Sequence, residues 1–147
     1  PQQMAEEAAK RVREGAKEIA ASLIEKSLTP EYPDDPWKSL FGGNPKSDHL
    51  ELSAKVRKNE GNPDWFDISL MVTQLAGSSE PPNSVQYFLH PTFGAEPKSV
   101  KFGPDGRAPL DILGYSAFTV GVLADDGTML ELDLASIPDV DPKFLVR

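Results

Sequence analysis

Hydrophobic and polar positions follow two different rhythms along this chain. Over residues 3–28, apolar side chains recur every third or fourth position, from Ala5 and Ala9 to Ile19 and Leu23, which predicts an amphipathic helix. The apolar face of this helix is mostly alanine. It therefore suits packing on the domain, contact with a neighbouring helix, or self-association with a second copy.

From residue 49 onward, period-2 alternation and β-branched or aromatic residues replace the helical rhythm. Turn-forming sequences, among them DDGT with its Asp-Gly pair, separate the apolar runs. Several short strands spaced in this way predict an all-β fold, an antiparallel β-sandwich with an N-terminal α-helical extension. The predicted strands cover residues 49–58, 65–75, 85–90, 98–102, about 108–124 and 128–137.

Residues 29–48, between the two patterns, contain four prolines and a Gly-Gly pair. This composition predicts an irregular linker from helix to sheet. We expect Trp37 and Phe41 to anchor the linker to the core. FGGNPK lacks the lysine-hydroxyl ending and the following helix of a phosphate-binding loop, so we interpret it as a turn.

The composition is that of one ordinary domain, since 147 residues with 39% hydrophobic content can bury a single core. The formal net charge is −8. The first 28 residues carry five basic and five acidic side chains, so the negative surplus lies in residues 29–147. Because a nucleic-acid partner requires a basic surface, we expect none.

The absence of cysteine excludes disulfides and sulfur-ligated zinc and fits a reducing cytoplasm. No apolar run predicts a membrane span or a signal peptide. The chain begins with Pro1 rather than Met, so we expect it to be part of a longer protein.

Two pentapeptides interrupt the strand pattern with aromatic residues: LHPTF at 89–93 and GYSAF at 114–118. Proline cannot donate a ladder hydrogen bond, so His90 is predicted to lie where its strand leaves the sheet. In order and spacing, the two motifs resemble the signature of the YEATS domain, and the sequence is most similar to its prokaryotic type. Asp64-Trp65 and Asp133-Leu134 extend the resemblance, which covers about residues 49–137.

The resemblance implies an immunoglobulin-like β-sandwich and a non-enzymatic recognition module. Eukaryotic members read acetylated and crotonylated lysine, and bacterial members are associated with multidomain signalling and conflict proteins. It also implies a ligand site at one end of the sandwich. The implied ligand-binding residues are His90, Thr92, Phe93, Gly114, Tyr115, Ser116 and Phe118.

The chemistry of an acylated lysine fits these residue types. Acylation removes the charge and leaves a flat amide, so a reader needs apolar walls and hydrogen-bond partners. Phe93 and Tyr115 would stack on the amide, His90 would form part of the wall, and Thr92 would offer a hydroxyl. This chain departs from the family in the loop 60–63, which has no aromatic residue where other readers supply one.

Catalytic and metal sites are poorly supported. GYSAF begins like a nucleophile elbow but ends in phenylalanine instead of glycine and precedes no predicted helix, so His90 with Ser116 or Thr92 does not make a triad. His49 is interpreted as a solvated residue. The acidic turns near Asp126 and Asp139 lack the alternation of a calcium loop. We predict no enzyme activity, metal or cofactor.

The alternative function is a protein-interaction or scaffold domain that uses a sheet edge and the N-terminal helix. The tail 137–147 is predicted to be extended by its prolines, and either to cover such an edge or to pass to another domain. The orientation of Phe93 and Tyr115 discriminates between the two functions. Rings that open on a groove favour ligand recognition, whereas buried rings favour the scaffold.

Overall fold

The computed structural model describes residues 2–76 and 80–145, with side chains from Glu14 onward, so Ala5 and Ala9 of the predicted helical stripe lie outside the described side chains. Helix α1 spans Gln2–Ser27. Neither helix in the described residues has the length and hydrophobicity of a membrane span. The strands that follow are β1 Leu50–Lys58, β2 Phe66–Gln74, β3 Ser84–Phe88, β4 Lys98–Lys101, β5 Arg107–Gly114, β6 Thr119–Ala124 and β7 Met129–Asp133.

These strands form two antiparallel sheets, one of three strands in the order β1-β2-β5 and one of four in the order β4-β3-β6-β7. Burial alternates along β2, where Phe66, Ile68, Leu70 and Val72 are buried and the residues between them are half-buried. These inward residues pack against Val120 and other buried residues of the four-stranded sheet. The predicted all-β sandwich with an N-terminal helix is therefore confirmed.

The four-stranded sheet is covered on its outer face as well, because every residue of β6 is buried. Phe88 and Leu123 form a second apolar cluster with Leu23 of α1 and with Trp37 and Phe41 of the linker. Both linker aromatics thus anchor the segment as expected, at 6% and 1% exposure. The linker and the second half of α1 form a third layer.

The long apolar run at 108–124 is two strands rather than one. β5 ends at Gly114 in the three-stranded sheet, and β6 begins at Thr119 in the four-stranded sheet. The sequence did not reveal this break because hydrophobic residues continue across it. Residues 115–118 connect the two sheets at one end of the sandwich.

The prediction of an extended C-terminal tail was wrong. Residues Pro142–Leu145 form a short helix, α2, and Phe144 is fully buried. Its ring lies 5.1 Å from that of Phe66, centroid to centroid. The backbone N–H of Ala117 donates to the Phe144 carbonyl over 2.8 Å. The tail therefore packs against the sandwich through Phe144.

The interpretation of His49 as a solvated residue was also wrong. Its Nδ1 lies 2.5 Å from Asp48 Oδ1, and its Nε2 lies 2.8 Å from Asp126 Oδ2 in the β6-β7 turn. The hydrogen bond with Asp48 is the largest cause that raises the pKa of His49; burial opposes this rise, and Asp126 adds to it. His49 therefore joins the start of the three-stranded sheet to a hairpin of the other sheet.

A substitution at Gly121 tests how tightly the linker packs on the four-stranded sheet. A Cβ at this position would overlap the ring of Phe41, so we expect Gly121→Ala to lower the free energy of unfolding by about 1–3 kcal/mol. Urea denaturation measures the change. Gly15→Ala is the matched control, because a Cβ there meets nothing within 4 Å, and it should stabilise helix α1 by about 0.5–1 kcal/mol. An unchanged stability in Gly121→Ala would contradict this packing.

His49 should make stability depend on pH. Its folded pKa is raised above 6.5, so its contribution is complete below about pH 6.5 and is lost as pH rises through the folded pKa. We expect the stability difference between the wild type and His49→Gln to be largest between about pH 4.5 and 6.5 and to shrink above that range. Thermal unfolding from pH 4.5 to 9 measures it. Asp126→Asn should weaken the same dependence, and a difference that grows with pH would refute the assignment.

Candidate functional site

The LHPTF motif ends its strand through a tight turn. β3 stops at Phe88, and Pro91–Phe93 form a 3-10 turn with His90 as the preceding cap. The N–H of Phe93 donates to the His90 carbonyl over 2.9 Å. Proline suits the first position of such a turn because its φ is already fixed and it has no N–H to satisfy. His90 thus lies at the mouth of the loop, as predicted.

The GYSAF motif is the connection between the two sheets. Its glycine, Gly114, is the last residue of β5 and is buried. A Cβ there would lie 2.9 Å from Ile68 Cδ1 and 3.3 Å from Phe93 Cζ. The absence of a side chain at Gly114 therefore lets the Phe93 ring lie directly over the end of the sheet.

The two loops meet at one end of the sandwich and line a groove of about 430 Å³. Tyr115 stands on its rim with 54% of its surface exposed, and Phe118 is 3% exposed at its base. His90 and Tyr115 therefore belong to the same end of the molecule. The lining residues are Pro33, Asp34, His90, Thr92, Phe93, Tyr115, Ser116 and Phe118.

Ring contacts hold the aromatic residues of the groove in place. The Tyr115 ring meets Trp65 edge to face, with centroids 5.7 Å apart and planes at 84°. Phe93 packs on Phe118 at 5.2 Å, and His90 lies 6.3 Å from Phe118. Such edge and tilted contacts favour a defined ring orientation. The contact with Trp65 therefore holds the exposed ring of Tyr115 in place.

Hydrogen bonds orient the His90 ring. The N–H of Thr92 donates to Nδ1 over 3.3 Å, so the proton of the neutral ring lies on Nε2. Nε2 in turn donates to the backbone carbonyl of Asp34 over 3.2 Å. Thr92 Oγ1 also lies 3.1 Å from Nδ1 and can donate to it, which leaves lone pairs of the hydroxyl oxygen for another donor. His90 therefore has no nitrogen left for a ligand.

The backbone of Ser116 offers a further polar group. Ser116 lies in the loop between β5 and β6, and within the described part of the chain its N–H has no acceptor. An N–H without a partner in a half-buried position favours a ligand carbonyl or water. The groove thus combines aromatic surface with the Thr92 hydroxyl as an acceptor and the Ser116 N–H as a donor.

Six of the seven predicted site residues line the groove, and Gly114 lies beneath the ring of Phe93. Sequence reasoning missed Pro33 and Asp34, which come from the linker. It also missed the contact of Trp65 with Tyr115. The linker sequence YPDDP did contain turn signals, but no periodicity indicates which end of a sandwich a turn will reach.

Comparison with known proteins gives one family match. The family model of the prokaryotic YEATS domain matches residues 66–135. This segment runs from β2 to the short 3-10 turn after β7 and includes both loops of the groove. No curated protein and no solved structure shows a significant match to the chain. The segment 66–135, which contains both motifs, is therefore similar to a prokaryotic YEATS domain.

Proposed function

We infer that this domain is a non-enzymatic reader whose groove binds an acylated lysine or a similar small amide or peptide ligand. The observation that carries the proposal is Tyr115, a large aromatic ring that is 54% exposed yet supported by Trp65 at the rim of the groove. When a ligand covers an aromatic ring that is exposed to water in a concave site, the burial of apolar surface contributes favourably to the free energy of binding.

The polar groups of the groove complement an amide. The ligand N–H would donate to Thr92 Oγ1, whose own proton is directed to His90. The ligand carbonyl would accept from the backbone N–H of Ser116. The rings of Phe93 and Tyr115 supply flat apolar surface for the amide plane and the acyl chain.

Charge supports a basic peptide as the carrier of the acyl group. The negative surplus of the chain lies in residues 29–147, which include the whole sandwich. Such a surface attracts the basic residues that flank a modified lysine and speeds their encounter with the groove. The proposed biological role is that of a cytoplasmic sensor or adaptor in a bacterial signalling or conflict system.

The arrangement of His90 supports a binding role over a catalytic one. A general base must reach the proton that it abstracts. Here Nδ1 is occupied by Thr92 and Nε2 by the Asp34 carbonyl. His90 is therefore oriented as a wall of the groove and not as a base for Ser116.

Three of the four edge strands, β4, β5 and β7, give little support to the alternative scaffold function, whereas the fourth, β1, is nine residues long. Edge strand β4 is only four residues long and carries Lys98 and Lys101, and edge strand β5 contains Pro109. Short, charged and proline-containing edges discourage the addition of a partner strand. At the edge strand β7, the N–H of Glu131 donates to the Asn44 carbonyl of the linker over 3.0 Å.

Titration of isotopically labelled protein with acetyl-lysine and crotonyl-lysine peptides tests the proposal. We expect saturable backbone amide shifts centred on residues 90–93 and 114–118, and none with the unmodified peptide. Tyr115→Ala should weaken binding about five- to tenfold, because stacking of this size is worth about 1–1.5 kcal/mol.

Met129→Ala is the matched control, since Met129 is also an exposed apolar residue, at 39%, but lies in β7 outside the groove. Its affinity should equal that of the wild type. The proposal fails when no amide shifts at millimolar acyl-lysine, or when Tyr115→Ala binds as the wild type does.

A further inference from the structure

The linker reaches the groove through two consecutive turns, in residues 32–38, which we call the linker strap. The N–H of Asp35 donates to the Tyr32 carbonyl over 2.9 Å, and the N–H of Lys38 donates to the Asp35 carbonyl over 3.1 Å. Pro33 and Pro36 occupy the second position of the two turns, where the fixed φ of proline is favourable. The tip of the first turn, Pro33 and Asp34, lines the groove.

Side chains of the strap bind the bases of both loops. The Asp35 carboxylate accepts the Thr119 N–H over 2.8 Å and the Thr119 hydroxyl over 2.6 Å. Trp37 Nε1 donates to the Leu89 carbonyl over 2.7 Å. Thr119 directly follows the GYSAF loop, and Leu89 directly precedes His90. The strap is therefore fixed to the residues that position the groove.

The strap also determines the orientation of a groove residue. The carbonyl of Asp34 accepts the Nε2–H of His90 over 3.2 Å. The position of this carbonyl depends on the adjacent Asp35, since the two bonds to Thr119 hold that residue in place. A change at Asp35 should therefore reach His90 without any direct contact between the two side chains.

The loop before β2, residues 60–63, has no aromatic ring. In this chain the ring of Pro33 is apolar surface that the linker adds to the groove. We propose that the linker strap is a wall of the binding groove and that Asp35 is the positioning residue for this wall. This inference rests on the proposed function, because it specifies how the same groove holds an acylated ligand.

The experiment compares Asp35→Ala and Asp35→Asn with Glu131→Ala. Glu131 is a matched control: its carboxylate also accepts two linker N–H groups, from Ser39 over 3.1 Å and Phe41 over 2.9 Å, but none of these three residues lines the groove. Each variant is measured for affinity toward the acetyl-lysine peptide, for the imidazole nitrogen signals of His90 without ligand, and for unfolding in urea.

We expect Asp35→Ala to weaken binding tenfold or more and to change the His90 nitrogen signals, because the Asp34 carbonyl is no longer held against Nε2. Asp35→Asn keeps one acceptor for the Thr119 N–H and should show an intermediate affinity. Glu131→Ala should lose stability but retain the wild-type affinity within twofold and unchanged His90 signals.

The inference is overturned if folded Asp35→Ala binds within twofold of the wild type, and the proposed function then stands. Equal losses of affinity in Asp35→Ala and Glu131→Ala, with unchanged His90 signals, would also overturn it, because they indicate general loosening of the linker. A wild type that binds no acyl-lysine rejects both proposals.

Pro33→Ala keeps the test decisive if Asp35→Ala does not fold. It removes the exposed ring and leaves both anchors intact, and we expect at least a threefold loss of affinity. An unchanged affinity in Pro33→Ala would show that the strap is not a wall of the groove.

Discussion

The packing of the linker on the outer face of the four-stranded sheet is the constraint on which the candidate site depends. Gly121 has no side chain, so the ring of Phe41 can lie on the backbone of β6 beside Phe88 and Leu123. A sheet face of this kind would otherwise expose apolar surface to water. Trp37 and Phe41 are both buried in this cluster, and Trp37 belongs to the second turn of the linker strap. The tip of the first turn then becomes part of the groove.

Two carboxyl groups keep this irregular segment in place. Backbone N–H groups outside regular structure still need acceptors when water is excluded. Glu131 supplies acceptors to the linker near Phe41, and Asp35 directs its own acceptors to Thr119 at the base of the GYSAF loop. A loss of either group would leave buried donors without partners, which costs more than the net value of the bonds themselves. Acidic residues at these positions are therefore structural.

The groove combines fixed aromatic surface with unfilled hydrogen-bonding capacity. Trp65 supports Tyr115, and Gly114 makes room for Phe93, so the rings need little reorganisation to receive a flat ligand. Preorganisation of this kind raises affinity because less conformational entropy is lost on binding. The missing ring in the loop 60–63 is consistent with such a site if the strap provides the additional wall. The proposed function would then depend on the linker as well as on the sandwich.

The sequence by itself determined the sandwich, the N-terminal helix and the two motifs, because periodicity and turn chemistry are local properties of the chain. It could not divide the apolar run at 108–124 between two sheets, nor show that Phe144 is buried, since both depend on contacts between residues distant in sequence. The same holds for His49, whose two carboxylate partners include one from a hairpin 77 positions away. Only the tertiary structure brought Pro33 and Asp34 to the groove, because the place of an irregular segment is decided by what its anchors pack against.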